Sequence, residues 1–277
     1  MTFSIVARSD DGESWGVAVA SKYLAVGSAV PAAGAGVGAV ATQAWVNVAY
    51  KSAALTHLGE GASAPAALQR LLDPDDGREH RQVGIVDAEG RAASHTGTEC
   101  LEWAGGVTGE GYAIQGNILT GEEVVIAMQD AFVASDPSAP LAERLMVALR
   151  AGDEAGGDAR GRQSASLLVV RDEAGPDGRD DIEVDLRVDD HTRPVDELER
   201  LLGLHQRLSA EVPESERTPD TPELFAEMDA RARCLGLRSF VVWIGMNDYE
   251  HLGGDGWTAT RLVEEMREAT PDWTAEA

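Results

Sequence analysis

MTFSIVARSDDGESWGVAVASK, residues 1–22, is the stretch that decides the fold. Apolar residues recur at alternate positions on both sides of DDGE, so TFSIVARS and SWGVAVAS read as two strands joined by a turn. Order starts at residue 2, although chain ends usually fray. If the turn lies near Asp11–Gly12, the second strand brings Ser21 and Lys22 back beside Thr2. Neighbouring strand residues point to opposite faces, so Ser21 and Lys22 can flank Thr2 but not form a dyad with each other.

A threonine hydroxyl is a poor nucleophile without a base. A threonine at the chain terminus carries its own, because its free α-amine titrates near ~7.7–8.0. Removal of Met1 would expose that amine, and Thr2 is small enough to follow a removable methionine. Ser21 and Lys22 would then orient the threonine and tune its amine. Two plainer readings stand beside this one. Thr2 also suits the start of a strand, where β-branched residues are favoured, and Lys22 suits a solvated strand end. A Schiff-base enzyme centred on Lys22 is a further alternative.

Outward from this hairpin, 32–45 (AAGAGVGAVATQAW) reads as a strand after Pro31, and 47–61 and 63–72 read as helices. Ser63 is a candidate N-cap there, with Pro65 in the first turn. Residues 80–90 and 91–97 form a second hairpin, and GYAIQGNIL (111–119) is a strand. TGEEVVIAMQDAFVAS (120–135) is a helix with Thr120 as cap and Glu123 three residues on. A helix over 141–152 closes at Gly152. Strands at 164–172 and 181–190 precede a helix at 195–211. Hairpins alternating with helix pairs imply antiparallel sheets covered by helices, an α+β chain. Residues 212–221 are polar and proline-rich and read as a linker. They separate a domain over 1–211 from a small helical module over 222–277.

Composition narrows the function. Lys and Arg number 23 against 48 Asp and Glu, a net charge of −25. Such a surface repels nucleic acid and anionic lipid, so neither is an expected partner. The charge is dispersed and lysine is scarce, which fits a chain kept hydrated in high salt. No run of about 18 apolar residues appears, so no membrane span is expected. A basic segment leading into an apolar core is also missing, so a signal peptide is not expected, and the location read is cytoplasmic. Cys100 and Cys234 form no motif, and neither is a candidate nucleophile.

Other polar positions interrupt apolar surroundings. Gln43 and Asn47 lie in ATQAWVN, and Gln115 and Asn117 flank Gly116 in AIQGNIL. Amides and backbone N–H groups are what an oxyanion hole needs, and glycine admits a close ligand. The same residues also make ordinary turns. In GGDARGRQSA, Arg160 could hold a substrate carboxylate bidentately beside Asp158, or the two could only order a loop. The six histidines show no metal-ligand spacing, so no metal is expected. GAGVG at 34–38 lacks the third glycine of a dinucleotide fingerprint.

Six stretches together, MTFSIVAR, WGVAVASK, GVGAVATQAWVN, YAIQGNIL, GGDARGRQSA and DLRVDDH, fall in the order of the domain-of-unknown-function family numbered 1028. The chain resembles that family over about residues 2–205, and the family resembles the N-terminal nucleophile (Ntn) hydrolases. The resemblance implies a four-layer αββα sandwich with Thr2 where the catalytic threonine stands. It implies more distant kinship to proteasome β-subunits, γ-glutamyltransferases and plant-type asparaginases. Those relatives usually expose the nucleophile by cutting an internal peptide bond, whereas here removal of Met1 would suffice. Residues 222–277 are similar to a C-terminal module of some family members that carries a peptidoglycan-binding label. FVVWIGMNDYEHLGGDGW bears that resemblance, and a helical cap or dimerisation module is the reading preferred here.

The expectation is therefore an Ntn-type amidohydrolase. Thr2, Ser21 and Lys22 form its centre, and Gln43, Asn47, Gln115, Gly116, Asn117, Asp158 and Arg160 serve the oxyanion or substrate. The substrate expected is a small amide or peptide-like molecule, with no cofactor and with room for a homodimer. The competing expectation is an Ntn-like scaffold for ligand binding or assembly, without catalysis.

Overall fold

The computed structural model describes residues 2–175 and 178–274. The chain forms two compact units, 1–202 and 203–277. In the first, β1 (Thr2–Arg8) and β2 (Ser14–Ser21) form the expected hairpin, with Phe3 opposite Ala20 and Arg8 opposite Trp15. After the short helix α1 (Val26–Ala29) come β3 (Pro31–Gly34) and β4 (Gly38–Ala44). Helices α2 (Ala49–Gly59) and α3 (Ala64–Leu72) follow, then β5 (Arg81–Asp87), β6 (Ala92–Thr96), β7 (Trp103–Gly109) and β8 (Tyr112–Leu119). Helices α4 (Glu123–Ala134) and α5 (Leu141–Glu154), strands β9 (Ser164–Arg171) and β10 (Ile182–Val188), and the part of α6 (Pro194–Ser209) up to Leu202 complete the run.

The strands make two antiparallel sheets, ordered β10-β9-β2-β1-β8-β7 and β3-β4-β5-β6. Period-two alternation sorts their side chains into three apolar layers. Phe3, Ile5 and Ala7 point to the helix side, into one core shared with Met128 of α4, Leu145 of α5 and Leu198 of α6. Their neighbour Val6 joins Val17, Val19, Ala39, Ala41 and Val86 between the two sheets. Val40, Val83 and Ile85 face α2 and α3 on the outside of the second sheet. The unit is thus the expected four-layer αββα sandwich. The small residues of β4 have a purpose here, because alanines at 39 and 41 let the sheets approach closely.

Several local expectations change. The strand expected over 32–45 is the hairpin β3–β4, turning at Gly36, whose φ of +66° is readily adopted only by glycine. Thr120 does not cap α4. That helix starts at Glu123 with no side-chain cap, and the Thr120 N–H donates to the Gly157 carbonyl. Gly152 does not close α5, which runs on to Glu154. It lies buried where a Cβ would come 2.7 Å from Met128 Cγ, so its role is close packing against α4. Strand β7 was not expected, because three of the seven residues in Trp-Ala-Gly-Gly-Val-Thr-Gly are glycines, which strands disfavour. Pairing along β8 supplies what propensity lacks.

The second unit has its own core of Val212, Met228, Phe240, Trp243, Leu262 and Met266. It contains α7 (Pro222–Cys234), α8 (Phe240–Met246) and α9 (Thr260–Ala269), with strands β11 (Arg217–Pro219), β12 (Gly253–Gly254) and β13 (Trp257–Ala259) in one sheet. The run 212–221, expected as a linker, supplies Val212 to that core and β11 to that sheet, and the first unit ends at Leu202 rather than at residue 211. The module is therefore mixed rather than purely helical.

The two sheets come close together at Gly84. An added Cβ at Gly84 would lie 2.0 Å from Gln115 Oε1, across the inter-sheet space. Gly84→Ala is expected to lower stability by about 1–3 kcal/mol, read by urea unfolding. Adding Gln115→Ala should recover part of that loss through the coupling of contacting sites.

Candidate functional site

Where β1 begins, the inter-sheet layer changes from apolar to polar. Thr2 lies opposite Ser21 across the hairpin, and on its other side opposite Asn117 of β8. It is 5% exposed, and its Oγ1 is 3.1 Å from Ser21 Oγ. The expected return of the hairpin onto Thr2 is present, and Ser21 is the residue that meets it.

Beneath Thr2 lies a buried amide network. Ser4 Oγ donates to Gln43 Oε1 at 2.7 Å, and Gln115 Nε2 donates to Ser4 Oγ at 2.6 Å. Gln43 Nε2 lies within bonding distance of Gln82 Oε1 at 2.8 Å and of the carbonyls of Thr2 and Gln115, both at 3.3 Å. Asn117 Nδ2 donates to the same Gln82 Oε1 at 2.8 Å. Gln82 Nε2 donates to the Gly116 carbonyl at 2.7 Å and to Thr96 Oγ1 at 2.9 Å. Gln82 is the hub, and it is a residue the sequence reading missed. Alternation along β5 placed it on the inner face, but a lone glutamine at a strand start carries no distinguishing signal.

This network revises the roles expected of the amides. Gln43, Gln115 and Asn117 are 0–2% exposed, and their amide N–H groups are engaged inside the protein. Gly116 stands within the ladder between Phe3 and Gly105. These four form the floor under Thr2 and hold its strand in register. Asn47 belongs elsewhere. Its Oδ1 accepts from the Ala49 N–H at the start of α2, and its Nδ2 approaches Asp75 at 3.5 Å.

Asp75 organises that neighbouring corner. It accepts from Tyr50 Oη at 2.6 Å and from Arg81 Nε at 2.9 Å, while Arg81 Nη1 holds the Trp45 carbonyl at 2.7 Å. The Arg81 guanidinium and then the Tyr50 hydroxyl hold the Asp75 carboxyl well below the usual carboxylate range. Burial, then Asp75 itself, pushes the Tyr50 phenol up. Burial also pushes the Cys100 thiol up, which disfavours its thiolate.

Lys22 does not turn toward Thr2. Its ammonium is exposed and donates to the Arg162 carbonyl at 3.2 Å. Its backbone N–H donates to Asp158 Oδ2 at 2.6 Å. Asp158 is 6% exposed; its Oδ1 accepts the Arg160 N–H at 2.9 Å, and its Oδ2 also meets Arg160 Nη2 at 3.3 Å. Leu119, at the end of β8, bridges to Asp158. The Asp158 carboxylate thus ties the end of β2 to the loop carrying Arg160, and the backbone of that loop bridges to the end of β8.

Arg160 and Thr2 line one cavity of about 190 Å³, with walls from Val26, Val30, Ala44 and Val46. Backbone strain collects around it. Ala25, Ala44 and Ile118 have φ of +55°, +65° and +52°, next to Val26, at the wall, and next to Asn117. A β-branched residue in that region is an outlier, and such strain concentrates at functional sites. Among the described residues, no group of three or more His, Cys, Asp or Glu side chains stands in a metal-binding arrangement. No helix among them is long and apolar enough to cross a membrane.

A family model described as a family of unknown function, DUF1028, matches residues 2–198. The chain belongs to the DUF1028 family. A DUF1028 crystal structure from Silicibacter pomeroyi is similar at 33% identity and a TM-score of 0.67, covering 74% of this chain and 89% of that one. Anbu (ancestral beta-subunit) from Yersinia bercovieri aligns at 12% identity and a TM-score of 0.34, over 76% of this chain and 98% of that one. An Anbu Gly-1 mutant from a Hyphomicrobium strain aligns at 11% and 0.35, over 77% and 99%. No curated protein matches the chain.

Two outcomes test this corner of the DUF1028 fold. Gln82→Leu leaves Gln43, Asn117 and the Gly116 carbonyl short of a buried partner, each costing about 1–3 kcal/mol. A loss of at least about 3 kcal/mol is expected from urea unfolding. The Asp75 carboxyl is depressed in the fold, so its stabilisation is present above the unfolded value of about 3.9 and is lost as pH falls. Arg81→Met should flatten the drop in stability between about pH 5 and pH 2, compared with wild type in the same titration.

Proposed function

We propose that this DUF1028 protein is an Ntn-type amidohydrolase acting on a small amide or peptide-like substrate, with Thr2 as nucleophile once Met1 is removed. Met1 lies outside the described residues. The observation that carries the proposal is the contact of Thr2 Oγ1 with Ser21 Oγ at 3.1 Å, at a buried strand start that lines a cavity. A catalytic hydroxyl needs a fixed position, a nearby proton path and room for a carbonyl.

In this mechanism the α-amine of Thr2 takes the hydroxyl proton as Oγ1 attacks the carbonyl carbon. The C–N bond breaks, and the amine leaves with the proton held by the α-ammonium. An ester on Thr2 remains, and water hydrolyses it to the acid by the same proton path in reverse. Ser21 orients Oγ1 and passes protons. Gln43 and Asn117 hold β1 in place from below. Lys22 contributes its backbone N–H to Asp158, which fixes the end of β2. The engagement of the floor amides inside the protein favours one second reading, a ligand-binding scaffold without catalysis.

Intact mass of the purified protein comes first, and loss of the Met1 mass is expected. Full retention of Met1 in an active sample would overturn the Thr2 mechanism. In an amide-substrate screen, Thr2→Ala should abolish turnover and Ser21→Ala should reduce kcat by about 10²-fold. Activity unchanged in Thr2→Ala would point to another centre.

A further inference from the structure

The cavity beside Thr2 has two unlike halves. Val26 and Val30 are 1–3% exposed and, with Ala44 and Val46, make an aliphatic wall. Arg160 is the single charged residue among those lining it. Its side chain is 45% exposed, so it stands toward the open side, while the buried Asp158 anchors its loop and guanidinium. In a chain of net charge −25, Arg160 brings a guanidinium to the cavity mouth, its charge shared with the Asp158 carboxylate at 3.3 Å.

Size limits what can enter. A volume of about 190 Å³ holds about six water-sized groups, at about 30 Å³ each. The enclosed part of a ligand is therefore a short group, and a long acyl chain is too large; the valine and alanine lining suits an aliphatic one. An aliphatic wall stabilises such a group by removing it from water, and a guanidinium at the mouth selects a carboxylate.

We infer that the cavity takes short aliphatic N-acyl amino acids. The acyl chain sits against Val26, Val30 and Val46, and the free carboxylate meets Arg160. The inference rests on the reading of Thr2 as nucleophile, since the scissile amide then lies between the two halves, next to Oγ1. Hydrolysis consumes one water. The acyl carbon gains its hydroxyl, the nitrogen gains its hydrogen, and a short fatty acid and an amino acid leave. Arg160 is a specificity residue here and takes no part in the proton transfers.

Isovalerylglycine is the probe, because its acyl group has about six non-hydrogen atoms. Its neutral carboxamide and octanoylglycine are the comparisons. Binding is measured by calorimetry on full-length Thr2→Ala, which separates recognition from turnover. Isovalerylglycine should bind at least about tenfold more tightly than its carboxamide. Adding Arg160→Met should remove that difference, and adding Val46→Phe should weaken both ligands by narrowing the aliphatic half. Equal binding of acid and carboxamide, or binding of octanoylglycine as tight as that of isovalerylglycine, overturns the inference. Turnover on wild type with Met1 removed then separates the two ideas. Thr2-dependent hydrolysis of neutral amides without acid preference leaves the nucleophile reading standing and removes the substrate class. Acid-selective binding without turnover supports the ligand class and removes the nucleophile reading.

Discussion

The buried amide network between the two sheets is the constraint on which the rest depends. A polar group taken out of water costs free energy unless it finds a partner. Ser4, Gln43, Gln82 and Asn117, with the Nε2 of Gln115, meet that condition through one another and nearby carbonyls and hydroxyls, while Gln115 Oε1 is left buried without a partner. The solution requires β1, β4, β5 and β8 in one register and one spacing. A slip of a single residue in any one of these strands would turn its members of the network to the opposite face. The network therefore specifies where the first strand begins, and so where Thr2 sits. Apolar packing in the rest of the inter-sheet layer is less directional, since valine and alanine can slide on each other in ways that paired amides cannot.

Around that fixed point the backbone is held in costly shapes. Ala25, Ala44 and Ile118 lie in the left-handed region without being glycine. Each follows or precedes a segment pinned from several sides. Ala44 succeeds Gln43, Ile118 succeeds Asn117, and the Ala25 N–H donates to the Asp189 carbonyl. Strain of this kind persists where the surrounding structure over-determines the chain. Asp158 adds a tether at the same end by holding Lys22 and Arg160 at once. The result is a rigid cavity wall, which suits recognition of a small ligand because little ordering remains to be done on binding.

The acidic surface and this site are separate matters. Most ion pairs, such as Arg200 with Glu197 and Arg193 with Asp196, are exposed and contribute little each. The second unit is stabilised differently, by its own aromatic core and by Glu227 shared between Arg231 and Arg267. The Arg267 guanidinium and then burial-opposed bonding to Arg231 hold the Glu227 carboxyl below its ordinary range.

Much of this protein was determined by its sequence alone. Alternation in TFSIVAR and SWGVAVAS dictated the opening hairpin, and hairpins alternating with helix pairs dictated the layered class. Both are local signals, carried by residues a few positions apart. The partnership of Thr2 with Ser21 was also legible, because a tight turn fixes cross-strand register. What only the tertiary structure decided involves residues far apart in the chain. Gln82 became the hub because Gln43 and Asn117 arrive from other strands. Lys22 turned away because Arg162 offers a carbonyl, and Asn47 joined Asp75 rather than Thr2. Strand β7 formed on glycines because β8 was there to pair with it. A side chain's type limits what it can do, but its partners are chosen by the packing of two sheets, and that choice is not written in any single stretch.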